Sequence, residues 1–413
     1  MGACADVFRF LKGPAMAARR LMRVEFVAMT ALLFATVAFS IDAMLPALPE
    51  IGAELTPDNL NKAQFVVTSF MLGMGAGTLI MGPLSDCFGR KPVILGTAAA
   101  YMLGAAIAGL GQSLEWLLIG RVIQGFGAAG VRVVALAVVR DLYSGRDMAK
   151  IVSFVMTIFT ILPALAPSVG AVVMAGFGWR GIFGSFLVFS LVSMGWFAFR
   201  QAETLPQENR RPMRPGPLLA AAREVVASPV ARNATLVQTF IFAGFFGFLT
   251  STQQIYDIYF DRADSFPLWF GVVALCAGSA SFLNAMLVGR LGMRFMIRSA
   301  LIGQFVLSGL MMAAFWLHLL PGWAEFPAFV LWSITFFGMN ALTIGNLNAL
   351  AMEPLGHVAG MAASIIGAFA TGVSALLAAP IGLLFDGTPQ PLAIGCFLSV
   401  GVALAVMLAV PRR

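Results

Sequence analysis

Twelve apolar runs recur along the 413 residues of this chain. Each is close to the ~20 residues that a helix needs to cross a bilayer. Their approximate bounds are 25–46, 63–84, 92–112, 116–138, 151–174, 181–200, 232–256, 267–289, 299–319, 327–350, 359–384 and 391–410. In hydrocarbon every backbone N–H and C=O must be satisfied inside the protein, so runs of this length fold as helices. Composition agrees. Only 11% of residues are charged, 60% are hydrophobic, and mean hydropathy is +0.90, against about 25% charged residues in a soluble domain. The expected fold class is an all-α polytopic membrane protein. The first run is too long for a signal-peptide core and lacks a small-residue cleavage site, so it reads as a retained helix.

The formal charge of +7 would suggest a nucleic-acid partner in a soluble protein. Here its distribution gives another meaning. With the N-terminus in the cytoplasm and the loops assigned alternately, 21 of the 26 Lys and Arg fall inside. Lys62, Arg180 and Arg262 fall outside, and Arg121 and Arg132 lie within spans. Basic residues concentrate on cytoplasmic loops, so the charge sets topology and implies no nucleic acid. Both termini are expected in the cytoplasm.

The longest polar segment, 201–231, carries Arg210, Arg211, Arg214, Arg223, Pro206, Pro212, Pro215 and Pro217. It divides the chain into an N-terminal segment (1–24), a six-helix bundle (25–200), a central cytoplasmic loop (201–231) and a second six-helix bundle (232–410). A shift of 203 residues lays Gly89 and Lys91 on Gly292 and Arg294, which supports an internal repeat. A weaker echo pairs Ala166-Pro167 and Gly170 with Ala379-Pro380 and Gly382.

Several chemistries find no support. The four cysteines (Cys4, Cys87, Cys276, Cys396) are far apart, and the two histidines (His318, His357) cannot build a metal site alone. There is no His-Glu-x-x-His, no Gly-x-Ser-x-Gly and no phosphate-binding loop. An enzyme, a cofactor and direct use of ATP are therefore not expected. A non-transporting receptor fits poorly with ionisable residues inside spans, which are costly there and functional by default.

Those residues are Asp42, near the end of the first run before Pro46, and Arg121 in the fourth. The first helix runs outward and the fourth inward, so the two sit at similar depth and are expected to interact directly or through water. Arg121, Gly125, Ala128 and Arg132 follow a +4, +3, +4 spacing. That puts them on one helix face, with the arginines about 16 Å apart along the axis, and Gln124 flanks the stripe. The expectation is a polar, cavity-lining face; the alternative is that Asp42 and Arg121 lock two helices together. In the seventh run Phe245, Phe246 and Phe248 offer apolar walls and Gln253 and Gln254 polar anchors, with Asn340 and Asn346 in the tenth; a lipid-facing or core-packing role is at least an equal reading of the phenylalanines.

Between the second and third runs lies Gly82-Pro-Leu-Ser-Asp-Cys-Phe-Gly-Arg-Lys91. Gly82-Pro83 is expected to end the second helix, Gly89 to permit a turn, and Asp86, Arg90 and Lys91 to sit at the membrane surface. The pattern Gly82-x-Leu84-x-Asp86-x-x-Gly89-Arg90-Lys91 resembles the loop 2–3 signature of the major facilitator superfamily of secondary transporters. Arg121-x-x-Gln124-Gly125 resembles its proton-coupling motif, and Asp42-x-x-x-Pro46-x-Leu48-Pro49 the first-helix motif of its twelve-helix drug antiporters. Pro163, Pro167 and Gly170 resemble the antiporter signature of helix 5, with Ala166 and Ala171 where glycines are usual. Val139-Arg140-Asp141-Leu142-Tyr143, Trp179-Arg180-x-x-Phe183 and Met352-Glu353-Pro354-x-Gly356-His357 look like the Bcr/CflA group of multidrug efflux proteins.

The resemblance implies two six-helix bundles around a central cavity, in a monomer of a bacterial inner membrane. It implies export of small amphipathic compounds, drugs or natural products, in exchange for protons. The alternative on the same fold is a proton symporter or a facilitative carrier of one metabolite. Asp42 and Arg121 would couple protons. Gln124, Arg132, Phe245, Phe248, Gln253 and Asn340 would line the substrate cavity. Gly82, Asp86, Gly89, Arg90, Lys91, Arg140, Pro167 and Gly170 would gate, with Asp86 accepting from a helix N-terminus or pairing with Arg140.

Overall fold

The computed structural model describes residues 22–210, 212–213 and 215–410. Arg9, Lys12, Arg19, Arg20, Arg211, Arg214, Arg412 and Arg413, counted above for topology, lie outside the described residues, as does Cys4.

The helices are α1 (Arg23–Asp42), α2 (Leu48–Leu55), α3 (Phe65–Phe88), α4 (Arg90–Leu110), α5 (Leu114–Leu142) and α6 (Gly145–Arg200). They continue as α7 (Pro215–Ala227), α8 (Pro229–Gln254), α9 (Phe266–Leu291), α10 (Met293–Trp316), α11 (Gly322–Met352), α12 (Ala359–Leu383) and α13 (Gln390–Leu408). Gly178, at φ 65° and ψ −178°, breaks α6 into two spans. A short 3₁₀ turn, Glu353–Val358, separates α11 from α12. The described residues thus contain twelve spans. The first is carried onward by a 3₁₀ turn at Leu45–Ala47 and by α2.

The two halves repeat one packing plan. In the first, α1 packs on α6, α3 on α5 and α4 on α6. In the second, α8 packs on α12, α9 on α11 and α10 on α13. The halves meet where α3 lies along α12 and α6 along α9. The repeat extends to backbone detail. Gly89 (φ 100°, ψ 160°) and Gly292 (φ 81°, ψ 152°), 203 residues apart, each close one helix and start the next in a conformation that a side chain resists.

Two expectations need correction. Pro83 does not end α3, which runs on through it to Phe88. Proline forfeits one ladder hydrogen bond, but the helix past it stays packed and only Gly89 reverses the chain. Asp86 therefore lies on the last turn of a helix and not in a loop. The central segment is also more than a polar connector, since α7 forms within it and rests against α8 and α12.

The crossing of α3 and α5 is the tightest in the first half. A Cβ on Gly125 would lie 2.0 Å from the Phe70 carbonyl oxygen, and one on Gly73 2.0 Å from that of Val122. Backbone contact of this kind is how membrane helices associate when lipid offers no hydrophobic drive. Gly96, within α4, has open space around it. Gly125→Ala should therefore lose about 1–3 kcal/mol by overpacking. Gly96→Ala should be neutral or gain up to about 1 kcal/mol from helix propensity. Reversible unfolding in mixed micelles measures both.

Candidate functional site

The site is built where α1 ends. A helix leaves its last four carbonyls without intrahelical partners, and α1 stops at Asp42, ahead of Pro46 and Pro49. Ala43 N–H reaches back to the Phe39 carbonyl at 3.1 Å. The Ser40 carbonyl is taken by Arg121 Nη2 at 3.1 Å. Arg121, fully buried, also donates from Nε to the Val66 carbonyl (3.0 Å) and from Nη1 to Gln124 Oε1 (2.8 Å). Its guanidinium lies 4.4 Å from the centre of the Phe70 ring. One side chain of α5 thus ties together the end of α1 and the start of α3. Ser40 Oγ bonds the Tyr101 hydroxyl of α4, and Thr36 Oγ1 lies 3.4 Å from Ser193 Oγ of α6, so the network spans the first half. Gln124 Nε2 is buried without a partner.

The expected direct pairing of Asp42 with Arg121 is not formed. Asp42 is 5% exposed and makes no hydrogen bond or ion pair among the described residues. The reason is azimuth. Ser40 and Asp42 are two residues apart, about 200° around a helix, so the turn that meets Arg121 and Tyr101 sends the Asp42 side chain the other way. Arg121 in turn spends its fixed fork of donors on fixed acceptors.

The stripe on α5 is also not a continuous cavity face. At Gly125 it is closed by the backbone of α3, and Arg121 is sealed behind α1. Arg132 alone of the four is half-buried rather than buried, and it has no hydrogen bond or ion pair among the described residues.

A second polar centre lies at the other end of α3. Arg90, 8% exposed, donates from Nη1 to Ser85 Oγ (2.7 Å) and to Asp86 Oδ1, and from Nε to Asp141 Oδ2 (2.9 Å). Asp86 therefore pairs with Arg90. Arg140 is exposed and does not pair with Asp86; its neighbour Asp141 joins the cluster instead, by accepting from Arg90. Sequence reasoning missed Glu203. Its carboxylate accepts from the backbone N–H of Arg90 (2.9 Å) and of Lys91 (3.1 Å), at the N-terminus of α4. That is where unpaired donors and the helix dipole favour an anion. Thr204 Oγ1 completes the cluster by donating to Asp141 at 3.0 Å. A pocket of about 470 Å³ lined by Asp86, Arg90, Leu205, Glu208, Asn209 and Arg210 adjoins it. Nothing in local sequence couples position 203 to position 90; only its place just after the sixth span was a cue.

The remaining expected residues scatter. Pro167 is buried within α6, and a Cβ on Gly170 would lie 2.1 Å from the Ala43 carbonyl, so α6 presses on the end of α1. Gly82 faces Ser364 of α12 across the halves. Phe248 is 1% exposed, among Phe329, Trp332, Phe336 and Phe337, and belongs to the core of the second half. Phe245, half-buried, sits with its ring centre 4.9 Å from that of Phe337. The space beside Phe248, Thr252 and Ser333 measures about 10 Å³, room for one water at most. Gln253 is buried with Oε1 unpartnered. Asn340 Nδ2 bonds its own helix at Phe336 (3.0 Å), leaving Oδ1 unpartnered. Asn346 bonds Asn284 of α9 at 2.7 Å.

Comparison with known proteins places these features in a family. A family model described as the Major Facilitator Superfamily matches residues 30–379. The chain is 32% identical over 364 residues to the "bicyclomycin resistance protein homolog" of Haemophilus influenzae, covering 86% of this chain and 88% of that one. It is 27% identical over 347 residues to the "uncharacterized MFS-type transporter YdgK" of Bacillus subtilis, covering 83% and 85%. Among solved structures, a D-xylose–proton symporter superposes with a TM-score of 0.75 at 16% identity, covering 94% of this chain and 98% of that one.

The two charged residues should respond differently to substitution. Arg121→Lys cannot serve three acceptors in one plane and should cost about 2–4 kcal/mol. Asp42→Asn removes no contact and relieves the cost of a buried carboxylate without a partner, so it should leave stability unchanged or raise it. Unfolding in mixed micelles separates the two outcomes.

Proposed function

The chain belongs to the major facilitator superfamily, and on that premise we propose that it exports small amphipathic compounds, drugs or natural products, in exchange for protons. It is a multi-pass membrane transporter; the direction and the coupling are our reading. The observation that carries it is Asp42, a carboxylate buried in a spanning helix and left without a partner. An acid in that position is expensive to keep and earns its place only if it exchanges something with the transport path. Protonation removes the cost of its charge, and deprotonation leaves an anion that a cationic or hydrogen-bonding cargo can satisfy. Competition between proton and cargo for one carboxylate is the simplest form of exchange. Arg121 cannot usefully lose its own proton. Its role on this reading is to hold α1, α3 and α5 in register around that acid.

We assign the end carrying Gly89 and Arg90 to the cytoplasm, as the distribution of basic residues favours, with both termini there. The membrane on this reading is the inner membrane of a bacterium, and the protein works as a monomer. Arg132, Gln124, Gln253 and Asn340 retain unpartnered polar atoms or charge and are the anchors we assign to cargo, with Phe245 as apolar wall. Phe248 would contribute only if the second half opened. Gly82, Pro167, Gly170 and the cluster of Asp86, Gly89, Arg90 and Lys91 are assigned to gating, with Asp141 in place of Arg140. The resistance named for the Haemophilus relative supports a drug-like cargo.

The test uses inverted membrane vesicles with an acid lumen. Bicyclomycin, then a panel of amphipathic drugs, is added while lumenal pH is followed. Cargo-triggered loss of lumenal protons is expected from the intact protein and should fall to background in Asp42→Asn. Cargo entering the lumen with coupling intact in Asp42→Asn would move the proton site elsewhere. Cargo leaving the lumen together with protons would replace antiport by symport.

A further inference from the structure

At the end of the bundle opposite Gly89, the two halves are joined by uncharged amides. Asn61 Nδ2 donates to the carbonyls of Leu383 (3.1 Å) and Phe385 (2.8 Å). Gln64 Nε2 donates to Gln254 Oε1 (2.6 Å) and to the Gly382 carbonyl (3.0 Å). Gln254 Nε2 lies 3.4 Å from Asn61 Oδ1. Between pairs of described residues, these are the side-chain hydrogen bonds that cross from the first half to the second.

Their chemistry follows from helix ends. The helix α12 stops at Leu383; its Gly382 carbonyl accepts from the Phe385 N–H, while the carbonyls of Leu383 and Phe385 receive no backbone donor among the described residues. On the 3₁₀ turn that opens α3, Asn61 supplies the donors missing at Leu383 and Phe385 from the other half, and Gln64 adds a second donor at Gly382. The fit at Gly382 is specific. A Cβ there would fall 1.4 Å from Gln64 Oε1, so only glycine admits the glutamine. Gln254 is the last residue of α8, where the backbone passes into the π-helical turn Ile255–Tyr259. Gln64 and Gln254 are both buried.

We propose that Asn61, Gln64, Gln254 and Gly382 form the outer gate of the transport path, a latch that opens by exchanging these amide bonds for water and that does not itself respond to pH. A carrier whose two halves alternate must break its inter-half contacts at one end to open there, and these are the contacts that would break. None of the four residues titrates. The charged and titratable groups on the surrounding elements are otherwise placed. Lys62, on the same turn, is exposed. Glu50 lies on α2, and Glu54 there is taken by Trp179 and Arg180. Tyr259 donates to Glu325, Asp386 accepts from Thr388, and Tyr256 and Asp257 on the π turn make no bond to the amides. Asp42, at the end of α1, is likewise not bonded to them.

The experiment reports gate opening without cargo or a proton gradient, so it succeeds or fails independently of the export reading. Thr68, one turn below Gln64 on α3 and 6% exposed, is changed to cysteine in a background with Cys4, Cys87, Cys276 and Cys396 replaced by serine and Asp42 by asparagine. Labelling by a membrane-impermeant maleimide is followed in right-side-out vesicles and corrected for thiol reactivity with an exposed control. Gln64→Ala should raise the rate about tenfold, the effect of one or two lost hydrogen bonds. Gln64→Glu turns a donor into a carboxylate facing two acceptors. It should label fast at neutral and alkaline pH and return towards the parent rate in mild acid, where the protonated group can donate again. Gly382→Ala, which displaces the Gln64 amide, should also label fast. The parent should be insensitive to pH. Unchanged labelling in folded Gln64→Ala and Gln64→Glu would overturn the gate, and a pH-dependent parent would overturn its indifference to protons. Acceleration seen only in inverted vesicles would reverse the assigned orientation and leave the latch standing.

Discussion

A helix that stops in or beside hydrocarbon leaves carbonyls or amides that nothing local can satisfy, and three such ends organise this protein. Each is closed by a side chain from another element. Arg121 of α5 takes the Ser40 carbonyl at the end of α1. Glu203, from the segment after α6, takes the first amides of α4. Asn61 takes the Leu383 carbonyl at the end of α12 and the Phe385 carbonyl just past it, and Gln64 adds a second donor at Gly382. The sign of each match follows the helix dipole: a cation at a C-terminus, an anion at an N-terminus. Where the two halves must part, the match uses neutral amides.

The first of these ends also accounts for a charge that would otherwise be prohibitive. Arg121 is fully buried with no carboxylate bound to it. A buried cation without compensation costs several kcal/mol after relaxation. Its compensation comes from dipoles: the negative end of α1, the Val66 carbonyl, the Gln124 amide and the face of the Phe70 ring. Because the arginine is satisfied this way, Asp42 is released from structural duty. That division separates a charged residue that holds the bundle together from one left without a partner.

Much of this was legible in the sequence because the signals are local. The length of an apolar run gives a span, and the repeat shift located Gly89 and Gly292, which share an unusual backbone. The depth of Asp42 and Arg121 could be read from helix direction. Azimuth could not, since which way a side chain leaves α1 depends on how α1 is rotated against α4 and α5. For the same reason four residues at helical spacing on α5 looked like one cavity face, although α3 closes it at Gly125. Proline at position 83 misled because propensity rules describe isolated helices, and packing kept this one intact. Glu203 and the amides of Asn61 and Gln64 were invisible because their partners lie in distant sequence and, apart from the Gln254 amide, are backbone groups with no side-chain signature.

A neutral gate and a titratable acid pose a question of transmission, and the end of α1 offers a physical route. Asp42 is followed within a few residues by the 3₁₀ turn Leu45–Ala47, which packs against both α6 and α8. On the α6 side the Ala43 carbonyl is in backbone contact with Gly170. On the other side α8 ends in Gln254, a member of the latch. A change in charge at Asp42 would alter what its own helix end must satisfy, and the neighbours of that end are the helix that carries Pro163 and Pro167 and the helix that carries Gln254. Packed interfaces of this kind hold one arrangement or another and do not deform continuously. On the proposed reading, a small shift at the acid would reach the proposed gate as a change of packing, with no proton passing through the latch.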